Sequence, residues 1–366
     1  IAALLAGITQ TNLHRQLAEL TGVRSVTADG ISAPIRTRYT DSGTPIRRAT
    51  ALAYERFAAL GFQPRYQSWS AETYSGRNVI ATWPGTSRPA EIVLVCAHID
   101  DMPESSNAPG ADDNASGSLV VLTAAELLRT RSFERTLRFV IFTGEEQGLY
   151  GSDAHARAAR AAGDRIVAVL NLDMIAWDGN DDGRLHLYVR PTYDDGHAAD
   201  RAIAATFTNV VRTYGLSGLS PRINAEVSDW SDHYSFTSQG FPAICGIEDD
   251  VSDMNPDYHT SGDTLDRITL PYYTRYVQAA VGTAAHLALP LVDNPQLALS
   301  PSTPTPPPRP LPGPTPALRR NLARTPRADP PTTLLAGKLG LEAAPARFWP
   351  VEGVQPQPQG FDLLRE

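Results

Sequence analysis

The 366-residue chain carries a formal net charge of -8, which excludes non-specific nucleic-acid binding, since that needs a basic face, and suits cations better. Its 42% hydrophobic and 20% charged residues are those of a folded protein, and no apolar run reaches the roughly 18 residues that a membrane helix requires. Two cysteines, Cys96 and Cys245, exclude a disulfide framework and a thiolate zinc ribbon; both lie in apolar, strand-like runs and read as buried small hydrophobes.

One large domain is expected, as a soluble monomer. The chain begins at Ile1 instead of Met, so a mature or trimmed form of an exported protein, secreted or periplasmic, is the expectation, with no signal segment in view. Leu13, Leu17 and Leu20 recur at helical spacing before Gly22, and residues 46–60 form a second helix stopped by Gly61. Residues 63–69 and 77–83 read as strands, after which Pro84-Gly85 turns the chain. A short, β-branched run at 91–97, bounded by Pro89, predicts a buried strand that delivers His98 and Asp100 at its carboxyl end. Residues 116–128 read as a helix, and a second buried strand at 137–143 ends in Gly144-Glu145-Glu146, which completes a β-α-β unit.

Beyond it come a helix at 148–162, a buried strand at 165–171 ending at Asp173, a short strand at 185–189 and a helix at 198–214. A strand at 241–247 opens into an acidic loop, 248–257, that leads to Tyr258-His259, and a helix at 272–289 closes a domain spanning 1–292 at Pro290. From Pro301 to Pro316 nine of sixteen residues are proline, so 293–316 reads as an extended linker. The remainder, 317–366, is a tail that is either disordered or the opening of a β module.

His98, Asp100, Asp113, Glu145, Glu146, Asp173 and His259 all follow strand ends or lie in loops, where ligands collect in open α/β sheets. Singly, each has a dull explanation as a solvated or structural side chain. Together they would repel unless a cation sat among them. Two imidazoles and three carboxylates without a cysteine form the donor set of a hydrolytic dinuclear zinc site, with one carboxylate bridging. The sequence has no His-Glu-x-x-His, no Gly-x-Ser-x-Gly, no Walker loop and no dinucleotide fingerprint.

Five motifs stand in order: His-Ile-Asp at 98–100, Gly-Ala-Asp-Asp-Asn-Ala-Ser-Gly at 110–117, Thr-Gly-Glu-Glu at 143–146, Asn-Leu-Asp-Met at 171–174 and Tyr-His-Thr-Ser-Gly-Asp-Thr at 258–264. In these the chain resembles the M28 family of dinuclear zinc aminopeptidases, which includes the secreted bacterial leucine aminopeptidases, over roughly 12–289. The resemblance implies a three-layer α/β/α sandwich around a central mixed, mostly parallel sheet, and peptide substrates with a free N-terminus. It implies that Asp113 bridges two zinc ions, with Glu146 and His259 completing one coordination shell and His98 and Asp173 the other, and that Glu145 is the general base. It further implies that Asp100 accepts from the other ring nitrogen of His98, that Asp263 does the same for His259, that Tyr258 donates to the developing oxyanion, and that the Asp113–Asn114 peptide is cis. Some members place a tyrosine or a disulfide in the segment that here spans 227–234, where neither cysteine is available, so pocket details do not transfer, and His233 is expected to be structural.

Two relatives of the same scaffold remain as alternatives: glutaminyl cyclases, acyltransferases with one zinc, and carboxypeptidases. The Asp-Asn-Ala-Ser-Gly loop at 113–117 keeps the peptidase form, and a binding module without activity would have lost ligands. Residues 178–183, Asp-Gly-Asn-Asp-Asp-Gly, match the opening of a calcium loop, but Val189 stands where the bidentate glutamate would be, so a hairpin turn is the simpler expectation.

Overall fold

The computed structural model describes residues 1–291, so the linker and tail assigned to 293–366 lie outside the described residues. The described chain builds helices α1 (Ala2–Ala6), α2 (Gln10–Leu20), α3 (Thr44–Ala59), α4 (Gly117–Leu128), α5 (Tyr150–Ala162), α6 (His197–Thr213), α7 (His233–Thr237) and α8 (Leu270–Leu287). Its strands are β1 (Val26–Ala28), β2 (Ile31–Ala33), β3 (Arg65–Ala71), β4 (Tyr74–Trp83), β5 (Arg88–His98), β6 (Arg135–Phe142), β7 (Arg165–Leu172), β8 (Arg184–Val189), β9 (Ser220–Ala225) and β10 (Ala243–Glu248). No described helix is long and apolar enough to cross a membrane.

β1 and β2 form a separate hairpin, and the other strands make one eight-stranded sheet in the order β3-β4-β6-β5-β7-β10-β8-β9. Its centre, β6-β5-β7-β10, is parallel, while β3, β4 and β8 join antiparallel to their inner neighbours and β9 runs parallel to β8 at the edge. Strand periodicity divides the apolar side chains between the two faces. On β5, Val93, Val95 and Ala97 join a core shared with α2, α3, α4, α6 and α8, whereas Ile92, Leu94 and Cys96 join a second core with Ala156 and Ala159 of α5 and Phe236 of α7. This is the three-layer sandwich, and the central strands read as unbroken apolar runs because both faces are covered.

Pro89, expected to bound β5, lies inside it. The strand's register shifts between Arg88 and Ile92, which accommodates a residue with no N–H to donate. Cys96 and Cys245 are both free and buried, each about one hydrogen-bond length from Asn171 between them, with Sγ 3.6 Å from the amide group. The 178–183 segment spends its polar groups on its own backbone: Asp178 accepts from the amide of Gly183, Asn180 from that of Asp182, and Asp182 from that of Arg184. The segment leads from β7 into β8, which β10 separates in the sheet, so it is a connecting loop and not the expected hairpin turn.

Arg38 locks the loop that links β5 to α4. Its fully buried guanidinium donates to the carbonyls of Ile99 (2.6 Å), Leu20 (2.9 Å), Pro109 (2.7 Å) and Gly110 (2.9 Å), and pairs with Asp101 at 3.2 Å. Burial pushes the Asp101 carboxyl up to about 7 even with Arg38 opposing it. Arg38→Leu would leave these carbonyls and Asp101 without their cation, so a loss of about 3–5 kcal/mol of stability is expected in urea unfolding. A change below about 1 kcal/mol, the scale of an exposed ion pair, would show that the loop is held by other means.

Candidate active site

Each strand of the parallel centre leads, at its carboxyl end or in the loop that follows, to a polar residue of the site. β5 ends in His98; β6 is followed by Glu145 and Glu146, β7 by Asp173, and the loop after β10 carries His259. Asp113 comes from a widened turn, Ala111–Ser116, that precedes α4 and in which Asp113 and Asn114 depart from helical backbone angles. The Asp113–Asn114 peptide is cis, as expected. Asn114 pins this turn, with Nδ2 donating to the Leu172 carbonyl (2.9 Å) and Oδ1 accepting from the Gly117 amide (2.9 Å). A side chain at 117 would press a Cβ to 2.2 Å from that same carbonyl, so glycine is needed where α4 meets the end of β7.

The structure brings together His98, Asp113, Glu145, Glu146, Asp173 and His259. His98 Nε2 lies 3.1 Å from Asp173 Oδ1, 3.5 Å from Asp113 Oδ1 and 3.9 Å from Glu145 Oε2. His259 Nε2 lies 3.2 Å from Asp113 Oδ2 and 2.9 Å from Glu146 Oε2. Asp113 therefore turns one oxygen to each imidazole, which is the disposition of a bridging carboxylate. Donor atoms of His98, Glu145 and Asp173, and likewise of His98, Asp113 and Glu146, lie within 4.8 Å of one another. Met174 and His259, beside or at this cluster, both have left-handed backbone angles (φ 48° and 56°), uncommon for such side chains.

The electrostatics are those of a site that favours positive charge. Burial and neighbouring carboxylates push Glu145 well above the usual range and Glu146 up to about 8. Burial alone would lower the two histidines, yet the acids around them raise His98 well above its ordinary value and His259 to about 10. Glu146 Oε1 is buried with no hydrogen-bond partner among the described residues. Carboxylates and imidazoles converging with no lysine or arginine among the described residues of the cleft, and with a carboxylate oxygen to spare, fit divalent metal, which would oppose each of these shifts.

Of two expected supporting roles, Asp100 does meet the other ring nitrogen of His98, through its carbonyl, and the one given to Asp263 is corrected. Asp100 does not hold His98 chiefly through its carboxylate: Nδ1 of His98 meets the Asp100 carbonyl at 3.1 Å, while the nearer carboxylate oxygen is 3.7 Å away. The Asp100 carboxylate instead accepts from Thr40 (2.8 Å) and from the amides of Gly144 (2.9 Å) and Glu146 (3.3 Å), so it fixes the loop that presents the two glutamates. Asp263 does not reach for His259. It accepts from the amides of Asp112 (3.0 Å) and Asp113 (2.9 Å) and holds the bridging turn.

Tyr258 is 39% exposed, lines the cleft and stacks on His259 with ring centroids 3.7 Å apart. Burial of its ring and the nearby carboxylates raise its pKa, which keeps its proton in place at neutral pH. His233 is outside the cluster, buried, with Nε2 2.7 Å from Ser228 Oγ. Ser231 was missed by sequence reasoning: it donates to Asp173 Oδ2 at 2.6 Å and accepts from Asn171 Nδ2 at 2.8 Å, leaving Oδ1 to face His98. No sequence signal singles out one serine whose role depends on a loop folding back against β7.

Residues 78–284 match the family model described as Peptidase family M28. Among curated proteins, a leucine aminopeptidase 1 of Arthroderma otae is 30% identical over 307 residues, covering 79% of this chain and 76% of the relative. Among solved structures, the LapA aminopeptidase of Legionella pneumophila superposes with a TM-score of 0.64 at 21% identity, covering 78% of this chain and 74% of that one. A glutaminyl cyclase of Porphyromonas gingivalis does so with a TM-score of 0.61 at 16% identity, covering 76% and 99%. At these identities the two structures speak for the fold alone.

Proposed function

Because the chain belongs to peptidase family M28, we propose that it is a zinc-dependent aminopeptidase that hydrolyses the N-terminal residue from peptides at a dinuclear site. The observation that carries this is Asp113, whose two oxygens face His98 and His259 separately. Asp113 would bridge two ions, one held also by His98 and Asp173 and the other by Glu146 and His259.

When bound, zinc polarises the scissile carbonyl and lowers the pKa of water toward about 7. Glu145, at the cleft wall and 3.9 Å from His98, accepts the proton of the attacking water and passes it to the leaving amine. Tyr258 keeps its hydroxyl proton and donates to the oxyanion as the carbonyl becomes tetrahedral. Asp100 holds the Gly144 and Glu146 amides so that the adjacent glutamate carboxylates face the cleft.

Glutaminyl cyclase chemistry needs one zinc and an N-terminal glutamine; an aspartate placed between two imidazoles favours the hydrolase. The test compares aminoacyl p-nitroanilides with their N-acetylated forms and with an N-terminal glutamine peptide, all in zinc. Cleavage of the free amines alone is expected. Cyclisation of the glutamine peptide without hydrolysis, or equal cleavage of blocked substrates, contradicts the proposal.

Ser231→Ala removes the donor to Asp173 Oδ2 without touching a proposed ligand. Zinc affinity at the His98–Asp173 position is expected to fall by about 10–100-fold, read by competition with a chelating dye, while the second ion is retained. Unchanged affinity at both positions would remove Ser231 from the site.

A further inference from the structure

The cleft extends past the proposed metal ligands into a region whose composition the hydrolytic chemistry does not use. It encloses about 470 Å³, and beyond the ligands it is walled by Met174, Ile247, Met254 and Trp230, with Asp250 in the wall and Asp229 at the exposed rim. Trp230 and Met254 are 40% and 39% exposed, so the apolar wall faces open space. Among the described residues, no lysine or arginine lines the cleft. Under the function proposed above, on which this inference rests, Asp113, Glu145, Glu146 and Asp173 are committed to metal and proton transfer; Asp250 is not.

The position of Asp250 separates it from the reacting centre. Its Oδ1 meets His186 Nδ1 at 2.6 Å and its Oδ2 accepts from the Tyr188 hydroxyl at 2.9 Å, both on β8. β8 lies beyond β10 from β7, which carries Asp173. Asp250 itself follows β10, the neighbour of β7, and its carboxylate reaches away toward β8, so it stands at least one strand spacing, about 4.8 Å, from the strand that supplies the ligand. An α-ammonium is only two bonds from the scissile carbonyl carbon and belongs at the metal end. The far carboxylate is placed for the other end of an N-terminal residue.

Each Asp250 oxygen has one partner on β8 and acceptor capacity beyond it, and Asp250 lines the cleft. Tyr188 packs edge-on against Trp230, with centroids 5.2 Å apart, so the wall and the carboxylate are one assembly. An apolar wall that includes two adaptable methionines, with a carboxylate set in it, matches a long aliphatic stem carrying a cation. We infer that Asp250 is a specificity residue that selects N-terminal lysine or arginine, with the stem lying along Met174, Ile247 and Met254 and the charged group at Asp250.

The test uses the zinc-loaded full chain with lysyl, arginyl, norleucyl and leucyl p-nitroanilides. Norleucine keeps the lysine stem without its charge. The wild-type kcat/KM for lysine should exceed that for norleucine by about 10-fold or more, the scale of a hydrogen bond to a charged group. In Asp250→Asn that ratio should fall toward one, chiefly through KM. Norleucine or leucine cleaved better than lysine by the wild type overturns the inference and leaves the aminopeptidase reading intact. A lysine-to-norleucine ratio unchanged in Asp250→Asn also overturns it. If no free-amine substrate is cleaved, the aminopeptidase reading fails and this inference falls with it.

Discussion

Glu145→Gln is expected to lower kcat by about 10²–10⁴-fold while leaving fold and zinc content intact. Glutamine fills the same space at the end of β6, so the Gly144–Glu146 loop keeps its bonds to Asp100. What it loses is the ability to take a proton, and an amide has no titration that could restore this at any pH. Glu145 also lies close enough to His98 and Asp173 to be a metal donor in its own right. The two roles part in a single comparison. If the variant retains both ions and is inactive, Glu145 is the base. If it loses an ion together with activity, Glu145 is a ligand, and the assignment must change.

Asp113→Asn should have the broadest effect of any single substitution, because one carboxylate serves both halves of the cluster: Oδ1 faces His98 at 3.5 Å and Oδ2 faces His259 at 3.2 Å. An amide offers one neutral oxygen and turns donor hydrogens toward the other side. Zinc affinity should fall by more than the roughly 10–100-fold that loss of an orienting partner costs, with activity close to background. The variant should also lose most of the thermal stabilisation that zinc gives the wild type, which for free zinc at 100 times Kd is about 2.7 kcal/mol. Zinc stoichiometry and melting curves with and without a chelator measure both effects. An Asp113→Asn protein that binds two zinc ions as tightly as the wild type would end the bridging assignment.

The central strands and the residues at their ends were legible in the chain because burial on both faces demands unbroken apolar runs, as at 92–97, and because the polar residue that follows such a run has few other reasons to be there. β9 was not legible. Its Ser-Pro-Arg-Ile-Asn-Ala sequence sits at the sheet edge, half-exposed, where neither apolar content nor alternation is imposed. The β1–β2 hairpin and α7 are too short for periodicity to rise above chance. The candidate ligands were legible from residue type and order, and their partners were not. Asp100 and Asp263 both turned out to hold backbone amides of the loops that present the ligands, and which N–H reaches a carboxylate is settled only when distant segments meet. Ser231 carries no motif for the same reason: it acts through Asp173, in the loop after β7.

Anomalous diffraction at the zinc edge from zinc-loaded crystals tests the central claim most directly. Two peaks are predicted, one beside His98 and Asp173 and one beside Glu146 and His259, about 3.5–4 Å apart with Asp113 between them. A single peak at full occupancy, with Asp113 contacting only one ion, would contradict the dinuclear site and return the protein to a one-zinc chemistry.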